Sequence, residues 1–175
     1  MLKSLHQDER GNAGIEFALL APIMLLLYFG LAELTVAMMA ERRASHAASV
    51  VGDLVTQSST MNATQMTDIF NVGNALLKPF PTTPLHMRVT SVKADAAGVA
   101  KVTWSRGQGM SGMSTGAAVA GFPAGMLAAG DSLVMAEVQY SYTSSLGQVL
   151  PSALSFSNTF YIRPRKSPEV VWTTG

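Results

Sequence analysis

Cysteine is absent from all 175 residues, which excludes a disulfide scaffold, thiolate metal sites and a cysteine nucleophile while leaving an extracytoplasmic location open. Charge is scarce and balanced, 12 basic against 11 acidic residues for a formal +1, so no overall field favours nucleic acid or another polyanion as partner. The histidines, His6, His46 and His86, form no i, i+4 pair and have no cysteine to complete a zinc set. No G-x-S-x-G elbow occurs, and no acid and histidine stand in an order that suggests a triad. Nothing in the residues points to catalysis, and no cofactor is expected. A G-x-G-x-x-G match at Gly107 to Gly112 is a weak signal. A dinucleotide site needs a helix opening at its third glycine, and Gly116, Gly121 and Pro123 interrupt any such helix.

What the chain has in excess is apolar: 48% hydrophobic residues and a mean hydropathy of +0.25. Much of this sits in one place. From Phe17 to Ala32 the sequence FALLAPIMLLLYFGLA carries no charge and one proline. Sixteen residues reach roughly 24 Å as a helix, and continuing to Ala40 takes the segment past a hydrocarbon core of about 30 Å. A single crossing over about residues 15–40 is expected, with Glu33 at the far headgroup layer, where a carboxylate costs less than at the bilayer centre. Lys3 and Arg10 precede the run and Arg42 and Arg43 follow it, so the positive-inside rule leaves orientation undecided.

Beyond the span, Val36, Ala40, Ala44, Ala47, Val51 and Leu54 fall within about 80° of a helix circumference. Glu41, Arg42, His46 and Asp53 lie on other faces, so this extension is amphipathic and needs a packing partner. After the polar break QSSTMNATQ, Thr67–Lys78 reads as a short second helix with Ile69, Leu76 and Leu77 as apolar contacts, ended by Pro79. Four stretches then have strand character: Leu85 to Thr90, Val99 to Ser105 after a turn at Asp95 to Gly98, Val134 to Thr143, and SFSNTFYIR. Period-two alternation implies a sheet with one wet face, and the absence of crossover helices implies antiparallel pairing. Residues Gly107 to Gly130 hold seven of the 15 glycines, which suits a long flexible connection with a helical turn at Ala124 to Ala129.

The residues Gly11-Asn12-Ala13-Gly14-Ile15-Glu16-Phe17 stand directly before ALLAPIMLLL. This unit resembles the leader-cleavage motif of type IVb prepilins and pseudopilins, which a membrane-embedded aspartic prepilin peptidase cuts after the glycine. More closely, GNAGIEFALLAPIMLLLYFGLAE is similar to the N-terminus of the TadE-like family of minor pseudopilins of the tight-adherence (Tad/Flp) pilus. FYIRPR, Phe160 to Arg165, is similar to that family's ending. The resemblance implies a pilin-like α+β fold, with a long N-terminal membrane-spanning helix packed on a small antiparallel sheet of about four strands. It divides the chain into a cytoplasmic leader at 1–11, a helix at 12–58 and a periplasmic α+β head at 59–175. Gly11 and Asn12 would flank the cleavage point, and Glu16 and Phe17 would serve assembly. The implied partners are the prepilin peptidase, other minor pseudopilins, the major Flp pilin, the inner-membrane assembly platform and membrane lipid, with no nucleic acid. The implied location is the bacterial inner membrane, with the N-terminus cytoplasmic and the head periplasmic, and incorporation in the pilus left open.

Cleavage after Gly11 would create an α-ammonium about one helical turn from Glu16, and two charges in lipid each need a partner. Taken without the resemblance, Glu16 is a headgroup-level acid favoured by the positive end of the helix. Two other classes remain open on the residues: a secreted binding protein whose first 40 residues are a signal peptide ending in the small run Ala37 to Ala40, and a single-pass sensor or enzyme that keeps its leader.

Overall fold

The computed structural model describes residues 12–123, 125–144 and 153–174. Helix α1 runs Asn12–Thr56 without interruption, with Pro22 inside it. It is followed by β1 (Thr60–Met61), α2 (Ala63–Leu77), β2 (Leu85–Ala94), β3 (Ala100–Gln108), β4 (Ser132–Tyr142), β5 (Leu154–Ile162) and β6 (Val171–Trp172). The four longer strands make one antiparallel sheet in the order β3-β2-β4-β5, and β1 and β6 form a separate parallel pair. This is the expected α+β architecture of a long N-terminal helix on a four-stranded sheet.

The buried face of α1, which packs on both α2 and the sheet, is made of small residues. Ala37, Ala40, Ala44, Ala47, Ala48, Val51 and Val55 are all buried. At 100° per residue this stripe is rotated by about 40° from the expected one. Val36 is exposed and Leu54 half-exposed, because the buried face turns toward α2 and the sheet together. Gly52 lies deepest: a Cβ there would come 2.7 Å from Ile162 Cδ1 and 2.9 Å from Ala136 Cβ. It is a point of contact with β4 and β5 and not merely tolerated within the helix.

Helix α2 opens four residues earlier than the hydrophobic pattern suggests. Asn62 caps it, its side chain accepting from the Gln65 amide at 2.9 Å while the Gln65 side chain accepts from the Asn62 amide at 3.1 Å. This reciprocal box satisfies two amides that the first turn leaves without partners. Its buried residues are Met66, Phe70, Gly73 and Leu77. Asn62→Ala is expected to lower stability by about 1 kcal/mol, measured as a fall in the thermal midpoint of the full chain in detergent.

The turn between β2 and β3 is where expected. Asp95 Oδ1 accepts from the amides of Ala97 and Val99, both at 2.9 Å, and Gly98 takes φ +77°. These bonds and Lys101 hold the Asp95 carboxyl below its ordinary range, the bond to Lys101 being the largest cause. Farther along, the register of β2 on β3 shifts between Ser91 and Val92, so Trp104 pairs with Ser91 and Val102 with Val92. Strict alternation would put Val102 and Trp104 on one face. The bulge sends them to opposite faces.

The second face of the sheet is not simply wet. Val92, Ala100 and Met135 form a small core with Met113, Val119, Phe122, Leu127 and Tyr161. The glycine-rich connection supplies four of these apolar side chains, and it folds back on β3 through Val119 N to Ala100 O at 3.0 Å and Val102 N to Ala117 O at 3.0 Å. It is therefore a packed flap on the sheet. Of the expected helical turn, Ala124 lies outside the described residues and Gly125 to Ala129 form no helix. Nor does a helix follow Gly107 to Gly112, where close approach explains the glycines: a Cβ on Gly107 would meet the Met110 carbonyl oxygen at 2.1 Å. The nucleotide-binding reading of that motif has no structural context.

Candidate functional site

The N-terminal half of α1 stands clear of the head. Ile15 and Phe17 are each 70% exposed, and large apolar side chains remain exposed as far as Met39. The helix is long and apolar enough to cross a membrane. Apolar side chains facing outward all round are the pattern of a helix solvated by lipid, and a proline is tolerated there more readily than in a soluble helix. Glu16 is exposed on the first turns, where the positive helix end favours an acid. Gly11 and the leader at 1–11, with His6, lie outside the described residues. Asn12 is the first residue of α1, and Glu16 and Phe17 follow within the next two turns.

Among the described residues, Glu33 is the first buried side chain of α1. Ser144 Oγ donates to its carboxylate. Burial raises the Tyr142 phenol above its ordinary range, and Glu33 adds to the effect. The acid within the apolar stretch thus faces protein, leaving Leu34, Val36, Met38 and Met39 on the outward faces. Two turns farther, Asn158 Nδ2 donates to Glu41 Oε1 at 3.1 Å and to Ser45 Oγ at 2.6 Å, which fixes β5 along the helix. On its other flank, Arg43 Nη1 donates to the Lys78 carbonyl at 2.7 Å, tying α1 to the end of α2.

The C-terminal FYIRPR segment forms a clasp on the far end of α1. Phe160 packs against the main core, and Ile162 lies over Gly52. Arg163 pairs with Asp131 at 3.2 Å, and Arg165 pairs with Asp53. The Arg165 amide also donates to the Thr56 carbonyl at 2.9 Å, serving one of the unpartnered carbonyls at the helix end. The basic C-terminal segment is therefore docked through Arg163 and Arg165. The surface ion pairs themselves are worth roughly 0–1 kcal/mol. The backbone bond and the packing of Ile162 carry more of the attachment. Sequence reasoning missed this clasp because Asp53 and Arg165 are far apart in the chain and no local pattern links them.

Inside the sheet, Arg88 and Glu137 make a two-point ion pair, Nε to Oε2 at 2.6 Å and Nη2 to Oε1 at 2.7 Å. The hydrogen bond to Glu137 raises the Arg88 pKa further. Arg88 also donates to the Ser111 carbonyl at 3.1 Å, so the pair anchors the glycine-rich flap. Among the described residues no cluster of three or more metal-ligating side chains occurs. His46 is exposed on α1, whereas His86 is half-buried on β2 beside Gly109.

The N-terminal helix, apolar and exposed over its first half, has a counterpart among known families. Residues 11–52 match the family model of TadE-like proteins. The matched segment opens at Gly11, takes in Glu16 and Phe17, and ends at Gly52, the residue on which β4 and β5 rest. It associates the chain with Tad pilus systems. No curated protein and no solved structure matches the chain. The head therefore has to be understood from its own residues.

Proposed function

We propose that this chain is a minor pseudopilin of a Tad/Flp type IVb pilus, cleaved by a prepilin peptidase between Gly11 and Asn12. It sits in the inner membrane by one helix, with the head periplasmic, and helps prime or support pilus assembly and hence adhesion. Its work is packing and not chemistry. The observation that carries this reading is the match over residues 11–52, which spans the motif Gly11 to Phe17 and the lipid-exposed part of α1. The partners that follow are other minor pseudopilins, the major Flp pilin and the inner-membrane platform.

In this reading the new α-ammonium of an incoming subunit pairs with Glu16 of its neighbour. Each charge is costly in lipid without the other, so the pairing selects one register along the assembly. Glu16→Ala is expected to leave cleavage largely intact and to lower incorporation into the pilus fraction severalfold, read by mass spectrometry of the mature N-terminus and quantification of the assembled fraction. Normal incorporation of the variant would remove the register role. An intact Met1 in cells that process their other pilins would remove the pseudopilin reading itself. Secretion with cleavage near Ala40 is disfavoured on packing grounds: Ala37 and Ala40 are fully buried against the head, and such a cut would remove core residues.

A further inference from the structure

The base of the head carries an apolar cleft of about 600 Å³ whose lining includes Val36 of α1 with Pro79, Phe80, Pro84, Tyr140 and Tyr142. Val36 is also part of the exposed apolar surface of the helix. The cleft therefore opens onto whatever solvates that helix. Its depth follows from the helix rise: Val36 lies about 28 Å along the axis from Phe17, close to the thickness of a hydrocarbon core of about 30 Å. Arg43 is seven residues on from Val36, on nearly the same helix face and about 10 Å higher, at the level of lipid headgroups.

There the cations gather. Arg43 is bonded to the carbonyl of Lys78, and Lys78 immediately precedes Pro79 of the cleft. Arg42 lies beside Met38 and Met39 on the adjoining face. All three cations are exposed, and none takes part in an ion pair among the described residues. The nearby acids are otherwise engaged. Glu33 accepts from Ser144, and Glu41 accepts from Asn158 and Ser45.

We propose that this junction binds an anionic phospholipid of the surrounding bilayer, with an acyl chain in the cleft and its phosphate held by Arg43 and Lys78, assisted by Arg42. Apolar walls below and unpaired cations above match the two ends of such a lipid, in the order in which a bilayer presents them. The inference rests on the membrane-crossing part of the proposed function and on none of its pilus chemistry.

The test uses the full chain in nanodiscs of phosphatidylcholine, with and without a third of the lipid replaced by phosphatidylglycerol. A phosphatidylglycerol with a photoactivatable group on its acyl chain is included as probe, and labelled peptides are mapped by mass spectrometry. The Pro79 to Pro84 and Tyr140 to Thr143 segments are expected to be labelled along with the membrane part of α1. Lys78→Ala and Arg43→Ala should each reduce head labelling by about fivefold, as expected for loss of one cation near a lipid surface. Because Arg43→Ala also removes a hydrogen bond, Arg42→Ala with Lys78→Ala, which breaks no side-chain bond, serves as the second variant. Val36→Trp, which fills the cleft, should lower labelling of Phe80 and leave that of Leu25 unchanged. Label on Leu25 with none on either head segment would overturn the inference while leaving the membrane crossing intact. Head labelling indifferent to all of the cation variants would also overturn it. An unlabelled Leu25 would count against the crossing itself.

Discussion

Truncating Trp104 to alanine is expected to lower the stability of the full chain by about 3–5 kcal/mol, the range for deleting a buried aromatic. The side chain is 4% exposed, sits in the main core, and lies 5.4 Å from the ring of Trp172. Its indole N–H donates to the Val170 carbonyl at 2.7 Å. Alanine would leave both a cavity and an unpartnered buried carbonyl, and the second loss adds to the first. The two-residue strand β6 would lose one attachment, keeping its pairing of Thr60 with Val171 and Met61 with Trp172. Arg106, whose guanidinium stands 4.0 Å from the Trp172 ring, would lose a well-placed aromatic face. Denaturant unfolding in detergent measures the effect, and Trp104→Ala combined with Trp172→Ala should cost less than the sum of the two. A loss under about 1 kcal/mol would contradict the packing described.

Gly52→Leu is expected to cost about 3 kcal/mol, the upper end of the ordinary penalty for overpacking. Two neighbours meet any side chain at this position, and they differ in how easily they yield. Ile162 Cδ1, at 2.7 Å from an ideal Cβ, is the end of a flexible chain and can turn away. Ala136 Cβ, at 2.9 Å, is fixed to the backbone of β4, a strand paired on both sides. Alanine would gain up to about 1 kcal/mol of helix propensity and so offset part of the clash. Leucine cannot be accommodated without lifting the helix from the sheet. Ala136→Gly should therefore relieve Gly52→Ala far better than Gly52→Leu, with thermal unfolding and amide exchange in β4 and β5 as the measurements. Equal stability of Gly52→Leu and the parent chain would show that helix and sheet are not in close contact here.

The long helix and the strands were legible in the sequence because each rests on a local period: an uncharged run from Phe17 to Ala32, and alternation in Leu85 to Thr90 and in Val134 to Thr143. Helix faces were less legible. Spacing at i+3 and i+4 picks out Val36 and Leu54 as readily as Ala37, Ala48 and Val55, and only the packing of the head decides which of these are buried. The earlier start of α2 was written in Asn62 and Gln65, a capping pair inside what looked like a polar break. Met113, Val119, Phe122 and Leu127 also mark the glycine-rich segment as a flap, but their irregular spacing has no period to reveal it. Of the candidate site, Gly11, Asn12, Glu16 and Phe17 are readable as a motif because they are contiguous. The clasp of Asp53 with Arg165, and the bond from Arg43 to the Lys78 carbonyl beside the cleft that Val36 and Pro79 line, are products of tertiary folding and have no sequence signature.

Helix α1 passes from its exposed apolar turns into the core of the head as one continuous helix beyond Pro22. One residue inserted between Pro22 and Glu33 would turn the head by about 100° relative to the exposed turns of the helix and move it by about 1.5 Å along the helix axis, so the azimuth of the head is encoded in the length of its stem.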